Sequence, residues 1–435
     1  MSEAVDGSPR RSRTAVLRRE LAQPLFRNAY ALMLNTVVNS GLGVLYWVVA
    51  THEYTEVEVG RGNALISLML LVSTLTQLNF SGALMRFLPR SGARSKGLLL
   101  AAYGVSSVVA LLVTAVVMAY CHFARGPGDP LYASGPFAIW FVVATAAWSL
   151  FNLQDSALTG LHGSTWIPLE NGLYGLVKLV LLVVVAQTSL VDGVFTSWTL
   201  PVVALLVPVN LLIFRRLLPR HAAVGAADQD PPSRTVLTRY MTGDYAGTVF
   251  RQLSSTFLPV LVVSLLGAAQ GAYFLPTQTI FGAIAMLQLA ITSSLVVEAA
   301  AHPGSAARFA RSMLRRIAVT ILPAAVVVIV AAPLILMLFG AHYSNGATPV
   351  LRLMMLALFP GMLLALYVTR CRLENRTGTL ALLQGVQAAM MIGGTVLLAA
   401  PLGLEAVGWS VLAAEVLPAL VVAPGMIRWL RDADR

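Results

Sequence analysis

Long apolar runs recur along the chain with short polar breaks between them, and twelve of these runs fall into two sets of six. The first six begin near Asn28, Asn63, Gly97, Pro136, Trp166 and Val191. Adding 211 lands near Arg239, Phe274, Arg308, Ala347, Thr377 and Leu402, where the second six begin. Local letters follow the same offset: Gly60 maps onto Gly271, Gln77-Leu78 onto Gln288-Leu289, Ser81 onto Thr292 and Leu84 onto Leu295. A duplication of six-element units is the implied plan.

Each run is long enough to cross roughly 30 Å of hydrocarbon as a helix of about 20 residues. Backbone N–H and C=O groups in lipid must be satisfied within the segment, and the runs lack the strict alternation of barrel strands. The expected fold is therefore all-α and polytopic, with 12 transmembrane helices in two six-helix, parallel-repeat lobes around a central cavity. Its parts are a basic N-terminal segment (1–27), an N-lobe of helices 1–6 (28–214), a linker (215–239), a C-lobe of helices 7–12 (240–429) and a tail (430–435). Pro231-Pro232 and the polar residues around them cannot continue a helix, which makes that stretch the joint between the halves. Arg10 to Gln23 is either a short helix lying on an anionic leaflet or an extended topogenic tail.

Composition agrees: 57% of residues are hydrophobic and 11% charged, outside the soluble range. The net charge of +11 is a matter of topology. With the N-terminus inside, 25 of the 30 basic residues fall at the cytoplasmic face, in clusters such as Arg10–Arg19, Arg86–Lys96 and Arg308–Arg316. Only Arg61 and Arg125 fall outside, so both termini are expected in the cytoplasm of a plasma-membrane protein. Nucleic acid is not an expected partner. Cys121 and Cys371 are expected near opposite faces of the bilayer and carry no paired-cysteine motif.

Enzyme signatures are missing. There is no phosphate-binding Gly-x-x-x-x-Gly-Lys-[Ser/Thr] loop, no His-Glu-x-x-His and no Gly-x-Ser-x-Gly, and the six histidines have no ligand spacing. No catalytic residue, metal or cofactor is expected. Glu53, Glu56 and Glu58 are the most enzyme-like group, but Thr55-x-x-Glu58 also fits a capping box opening helix 2. The longest outer loop, Tyr120 to Gly135, is too short to bind an acceptor as a membrane glycosyltransferase would.

Charges within the spans carry more information, since each costs about 2.5–3.5 kcal/mol on insertion scales unless paired or wetted. Lys178 is expected to pair within the membrane with Glu170 or Asp155. Arg352 fits a side chain reaching outward to the interface. Arg251 lies on the helix that opens the second repeat, where its guanidinium can grip phosphate in a cavity between the halves. Asn35 and Asn39 on helix 1, with Gln252 and Gln278, extend a polar lining for substrate; amide bonds between helices are the alternative. Arg86, expected to end helix 2, and Glu298, expected to end helix 8, are nearly equivalent under the repeat and form a candidate gate. Asp244 and Glu415 are candidate carriers of a coupling proton or sodium ion.

Several stretches resemble a known family. They are Asn35 to Ala50 followed by Glu58-Val59-Gly60, and Gln77 to Pro89 with Arg86 within it. In the second half they are Gly243-Asp244-Tyr245, Ala272-Tyr273-Phe274, Ser294 to Glu298, and Gly340 to Tyr343 with Pro349 to Arg352. Over roughly residues 25 to 425 the chain is similar to the lipopolysaccharide, O-antigen and teichoic-acid flippases, within the multidrug, oligosaccharidyl-lipid and polysaccharide exporter superfamily. The resemblance implies alternating access and export of a polyprenyl-pyrophosphate-linked oligosaccharide, with Arg251 best placed for pyrophosphate. It also implies a polysaccharide polymerase and a chain-length regulator as partners, beside the lipid bilayer and the lipid-linked oligosaccharide. Rival expectations are a drug or small-solute exporter and a membrane glycan polymerase or glycosyltransferase.

Overall fold

The computed structural model describes residues 24–124, 131, 134–188, 192–224, 245–301, 306–374 and 376–432, with side chains mostly from 39 to 288 and from 311 onward. Most of segment 1–27, the centre of the linker, Asp244 and the last residues of the tail lie outside the described residues. The elements are α1 (Pro24–Glu53), α2 (Glu56–Thr76), α3 (Phe80–Phe87), α4 (Ser95–Ala124), α5 (Gly135–Gly160), α6 (Ile167–Ala186), α7 (Gly193–Leu212) and α8 (Leu218–Val224). The second half holds α9 (Tyr245–Thr256), α10 (Leu258–Leu266), α11 (Ala268–Ala301), α12 (Ala306–Met337), α13 (Ala341–Leu373), α14 (Thr377–Leu402) and α15 (Glu405–Asp432).

Among the described residues, nine helices are long and apolar enough to cross a bilayer, and α9–α10 forms a further span bent by 45°. With α1 (30 residues) and α11 (34 residues) the order is the expected twelve. The protein is a multi-pass, all-helical membrane protein. Side chains such as Leu112, Val116, Leu397 and Val421 are more than half exposed, a surface suited to acyl chains and costly in water. The repeat is visible in the helices themselves, since α4 and α12 begin 211 residues apart.

Most of α2 is buried, and it packs on α4, α5 and α7 of its own half and on α9, α10 and α11 of the other. It starts at the expected capping box: the Thr55 hydroxyl accepts from the Glu58 N–H, and the Glu58 carboxylate accepts from the Thr55 N–H at 2.9 Å. The seam with α11 is made possible by glycine. A methyl group on Gly60 would lie 1.7 Å from the Ala268 carbonyl oxygen, and one on Gly271 would lie 3.6 Å from Gly60. These two positions, equivalent under the repeat, meet each other. Beside them the Tyr273 hydroxyl donates to the Glu56 carboxylate at 2.7 Å. Toward the far end of α2 the Tyr245 hydroxyl donates to the Leu75 carbonyl at 2.6 Å.

Two boundaries differ from expectation. Helix 2 does not run on to Arg86: Leu78 (φ 49°) and Asn79 (φ 63°) are left-handed, so Arg86 belongs to the separate short helix α3. That helix packs on α5, where Gly160 allows a close approach to the Leu84 carbonyl. The linker also starts later than residue 215. A π-turn, Ile213–Leu217, joins α7 to α8 and carries the helical path to Val224. The turn's wide register precedes Pro219, which has no N–H to give.

Candidate functional site

Prolines shape the second half by leaving carbonyls without their helical donor. Pro259, in the first turn of α10, cannot donate to Ser255, and the chain bends there. The freed Ser255 carbonyl accepts instead from Gln278 Nε2 of α11 at 3.2 Å. Pro333 in α12 likewise frees Ile329, whose carbonyl accepts from Arg352 Nε at 3.1 Å. Arg352 is thus exposed but engaged with its neighbouring helix, rather than only reaching for the interface.

The bend leaves a cavity of about 670 Å³ bounded by α9, α10, α11, α13, α14 and α15. Arg251, Gln252, Gln278 and Glu415, four of the residues singled out from the sequence, line it together. A smaller chamber of about 320 Å³ adjoins it and shares Arg251, Phe281, Ala285, Gln384 and Glu415, adding Arg372 and Gln288. All lining residues of both chambers belong to the second half. The helix that carries Arg251 borders the interface between the halves, packing on α2 as well as on α14.

Arg251 is exposed into this space and has no carboxylate within 4.0 Å among the described residues. Gln252 Nε2 donates to the Thr256 hydroxyl at 2.9 Å. Glu415 accepts from Gln387 Nε2 at 3.1 Å, and its second oxygen faces Gly361 of α13. Gln384 is 8% exposed, and its carbonyl oxygen has no donor. Three methionines (Met286, Met354 and Met391) and two phenylalanines (Phe274 and Phe281) supply an apolar wall. Sequence reasoning missed Gln384 and Gln387. Their spacing of one helical turn on α14 was the available signal, but isolated amides in a span look like packing groups.

The remaining candidates lie elsewhere. Asn39 is half-buried on α1 and lines neither chamber, and the side chain of Asn35 lies outside the described residues. So does that of Glu298, while the Arg86 guanidinium stacks on Phe87 at 5.5 Å.

The expected pairing of Lys178 with Glu170 or Asp155 is not formed. The Lys178 ammonium sits 3.6 Å from the ring centre of Trp198 and 5.0 Å from those of Tyr46 and Tyr174. Asp155 accepts from Asn171 Nδ2 at 3.2 Å, and both Glu170 oxygens are buried without a donor. Eight residues of helix separate Glu170 from Lys178 by about 12 Å along the axis and roughly 80° around it, too far for contact. The quadrupoles of three aromatic rings stabilise the ammonium in place of a counter-ion.

No protein-family model matches the sequence, and no curated protein matches it. Solved structures do resemble it. An inward-facing multidrug resistance MATE family transporter of the MOP superfamily superposes with a TM-score of 0.67 at 15% identity, over 92% of this chain and 95% of that one. An outward-facing structure of such a transporter gives 0.62 at 16% identity, over 95% and 96%. A MOP superfamily transporter from Pyrococcus furiosus, described as having a binding pocket of reversed polarity, gives 0.60 at 16% identity, over 95% and 96%. The fold is that of MATE transporters: all-helical, spanning the membrane many times, in two six-helix lobes.

Proposed function

We propose that this chain is a non-enzymatic carrier that moves a polyprenyl-pyrophosphate-linked oligosaccharide, a precursor of cell-surface polysaccharide, from the inner to the outer leaflet by alternating access. The observation that carries the reading is Arg251, a guanidinium with no carboxylate partner among the described residues, in a cavity whose other polar groups are mainly carboxamides. Such a cation suits phosphate, which it can hold through two parallel hydrogen bonds. Gln252 and Gln278 suit sugar hydroxyls. The polyprenyl tail stays in lipid while the headgroup passes through the protein. The basic clusters and both termini face the cytoplasm, and Arg86 with Glu298 closes that side. An interior-negative potential favours outward movement of an anionic headgroup by about 2.3 kcal/mol per charge per 100 mV. A polysaccharide polymerase and a chain-length regulator act on the delivered product.

The methionine and phenylalanine wall favours a second reading, export of an apolar drug-like solute, since flexible thioethers adapt to varied ligands. The solved structures of like fold include transporters described as multidrug resistance proteins. Lipid profiling of a deletion strain separates the two. Accumulation of a polyprenyl-linked glycan in the inner leaflet supports the flippase. A normal lipid profile with increased retention of lipophilic cationic dyes supports the exporter.

A further inference from the structure

The place where the two chambers meet is chemically unbalanced. Arg251, Glu415 and Gln384 line both, yet Arg251 and Glu415 do not pair with each other, as no ion pair within 4.0 Å joins them. The Gln384 side chain is more than nine-tenths buried, and its Oε1 faces no donor. Leaving a buried carbonyl unmatched is costly, and a ligand that donates to it recovers that cost. Glu415 has one oxygen fixed by Gln387, which orients the carboxylate and leaves acceptor capacity on the other. The waist therefore presents one anion-binding cation beside two hydrogen-bond acceptors.

A drug-like cation satisfies Glu415 but gives Arg251 nothing, and a fully ionised lipid diphosphate without its sugar satisfies Arg251 but has no O–H or N–H to donate to Gln384. An anion carrying adjacent O–H or N–H donors satisfies all three. Resting on the flippase reading above, we propose that Gln384 and Glu415, the latter positioned by Gln387, select the sugar attached directly to the phosphate by accepting from its hydroxyl or amide N–H groups. Arg251 holds the phosphate, and the acceptor pair distinguishes a glycosylated lipid from the unglycosylated carrier.

The test is a binding titration on the purified full-length chain in detergent micelles with two probes, farnesyl diphosphate and farnesyl diphosphate bearing one N-acetylglucosamine. Wild type should prefer the glycosylated probe by roughly ten-fold or more, because a site built for donors rejects the analogue lacking them. Gln384→Leu and Glu415→Leu, each of which removes an acceptor, should reduce that preference to about two-fold or less. Gln384→Met, a near-isostere without the acceptor, should behave as Gln384→Leu does, and an unchanged melting temperature identifies folded variants. Arg251→Ala should weaken both probes together. A preference that survives both acceptor substitutions overturns the assignment, as does equal binding of the two probes by wild type; either leaves the flippase reading standing. Binding of neither probe by wild type removes the flippase reading and this assignment with it.

Discussion

Gly60 of α2 and Gly271 of α11 occupy equivalent positions in the two halves and meet at the seam between them, where a Cβ on Gly271 would be 3.6 Å from Gly60. A Cβ on Gly60 would press on the Ala268 carbonyl, which is backbone and cannot rotate away. Gly60→Ala should destabilise the protein by about 3 kcal/mol or more, read as a lowered melting temperature. Gly104→Ala, where no atom lies within 4 Å, should leave that temperature unchanged. Equal effects at the two sites would show that the seam is looser than described.

The Pro259 bend supplies a double-mutant cycle. Gln278→Leu leaves the Ser255 carbonyl without its donor and should cost about 1–3 kcal/mol. Adding Pro259→Ala restores a backbone N–H able to reach Ser255 and should recover part of that loss. If the two losses simply add, Gln278 does not substitute for the missing backbone bond.

Arg61 and Asp192 form an ion pair at 3.1 Å, with the aspartate side chain only 4% exposed. Arg61→Ala strands that carboxylate and should cost about 3 kcal/mol. Asp192→Asn in the same chain should recover most of it, because asparagine tolerates the φ of 71° at this cap. The pH dependence has a definite sign. Burial raises the Asp192 carboxyl above its usual range, against the opposing pull of Arg61 and with added repulsion from Glu58. The folded state thus holds this proton more tightly than the unfolded chain does, and the group's contribution to stability falls as pH rises from the ordinary aspartate range through the raised value. Removing Arg61 raises it further, so thermal melts should show the Arg61→Ala deficit widening through that window. A deficit independent of pH would exclude Asp192 as its source.

Glu170 is buried with no donor to either oxygen. Since an isolated buried charge is costly, Glu170→Gln should fold to normal levels with a melting temperature equal to or above wild type. A large drop would mean that a partner exists which the described residues do not show.

Arg251 should be graded in function. Complementation of a deletion strain should fall by about ten-fold or more with Arg251→Ala and by less with Arg251→Lys, which keeps charge but loses the planar fork. Equal activity of all three would remove Arg251 from the substrate path.

What the sequence made legible follows from the bilayer. Lipid demands helices of fixed length, so the order of spans and the repeat offset could be read directly, and so could the Thr55–Glu58 cap. The break at Leu78–Asn79 could not, because no proline or glycine marks it. Nor could the Lys178 cage, whose rings come from three helices and from positions as far apart as Tyr46 and Trp198. Charge complementarity pointed to Glu170, whereas packing chose the aromatic rings. The cavity was half legible: Arg251, Gln252, Gln278 and Glu415 stood out as polar residues in apolar spans. That α14 would bring Gln384 beside them depended on tertiary packing.

A joint built on two glycines has no knob to withdraw from a hole. Where the halves touch at Gly60 and Gly271, backbone meets backbone, with no side chain of either residue interlocked across the contact. Directional resistance to a rolling or parting of the halves comes from two hydrogen bonds across the seam, Tyr273 to Glu56 and Tyr245 to Leu75, beside the side-chain packing of α2 on α9, α10 and α11.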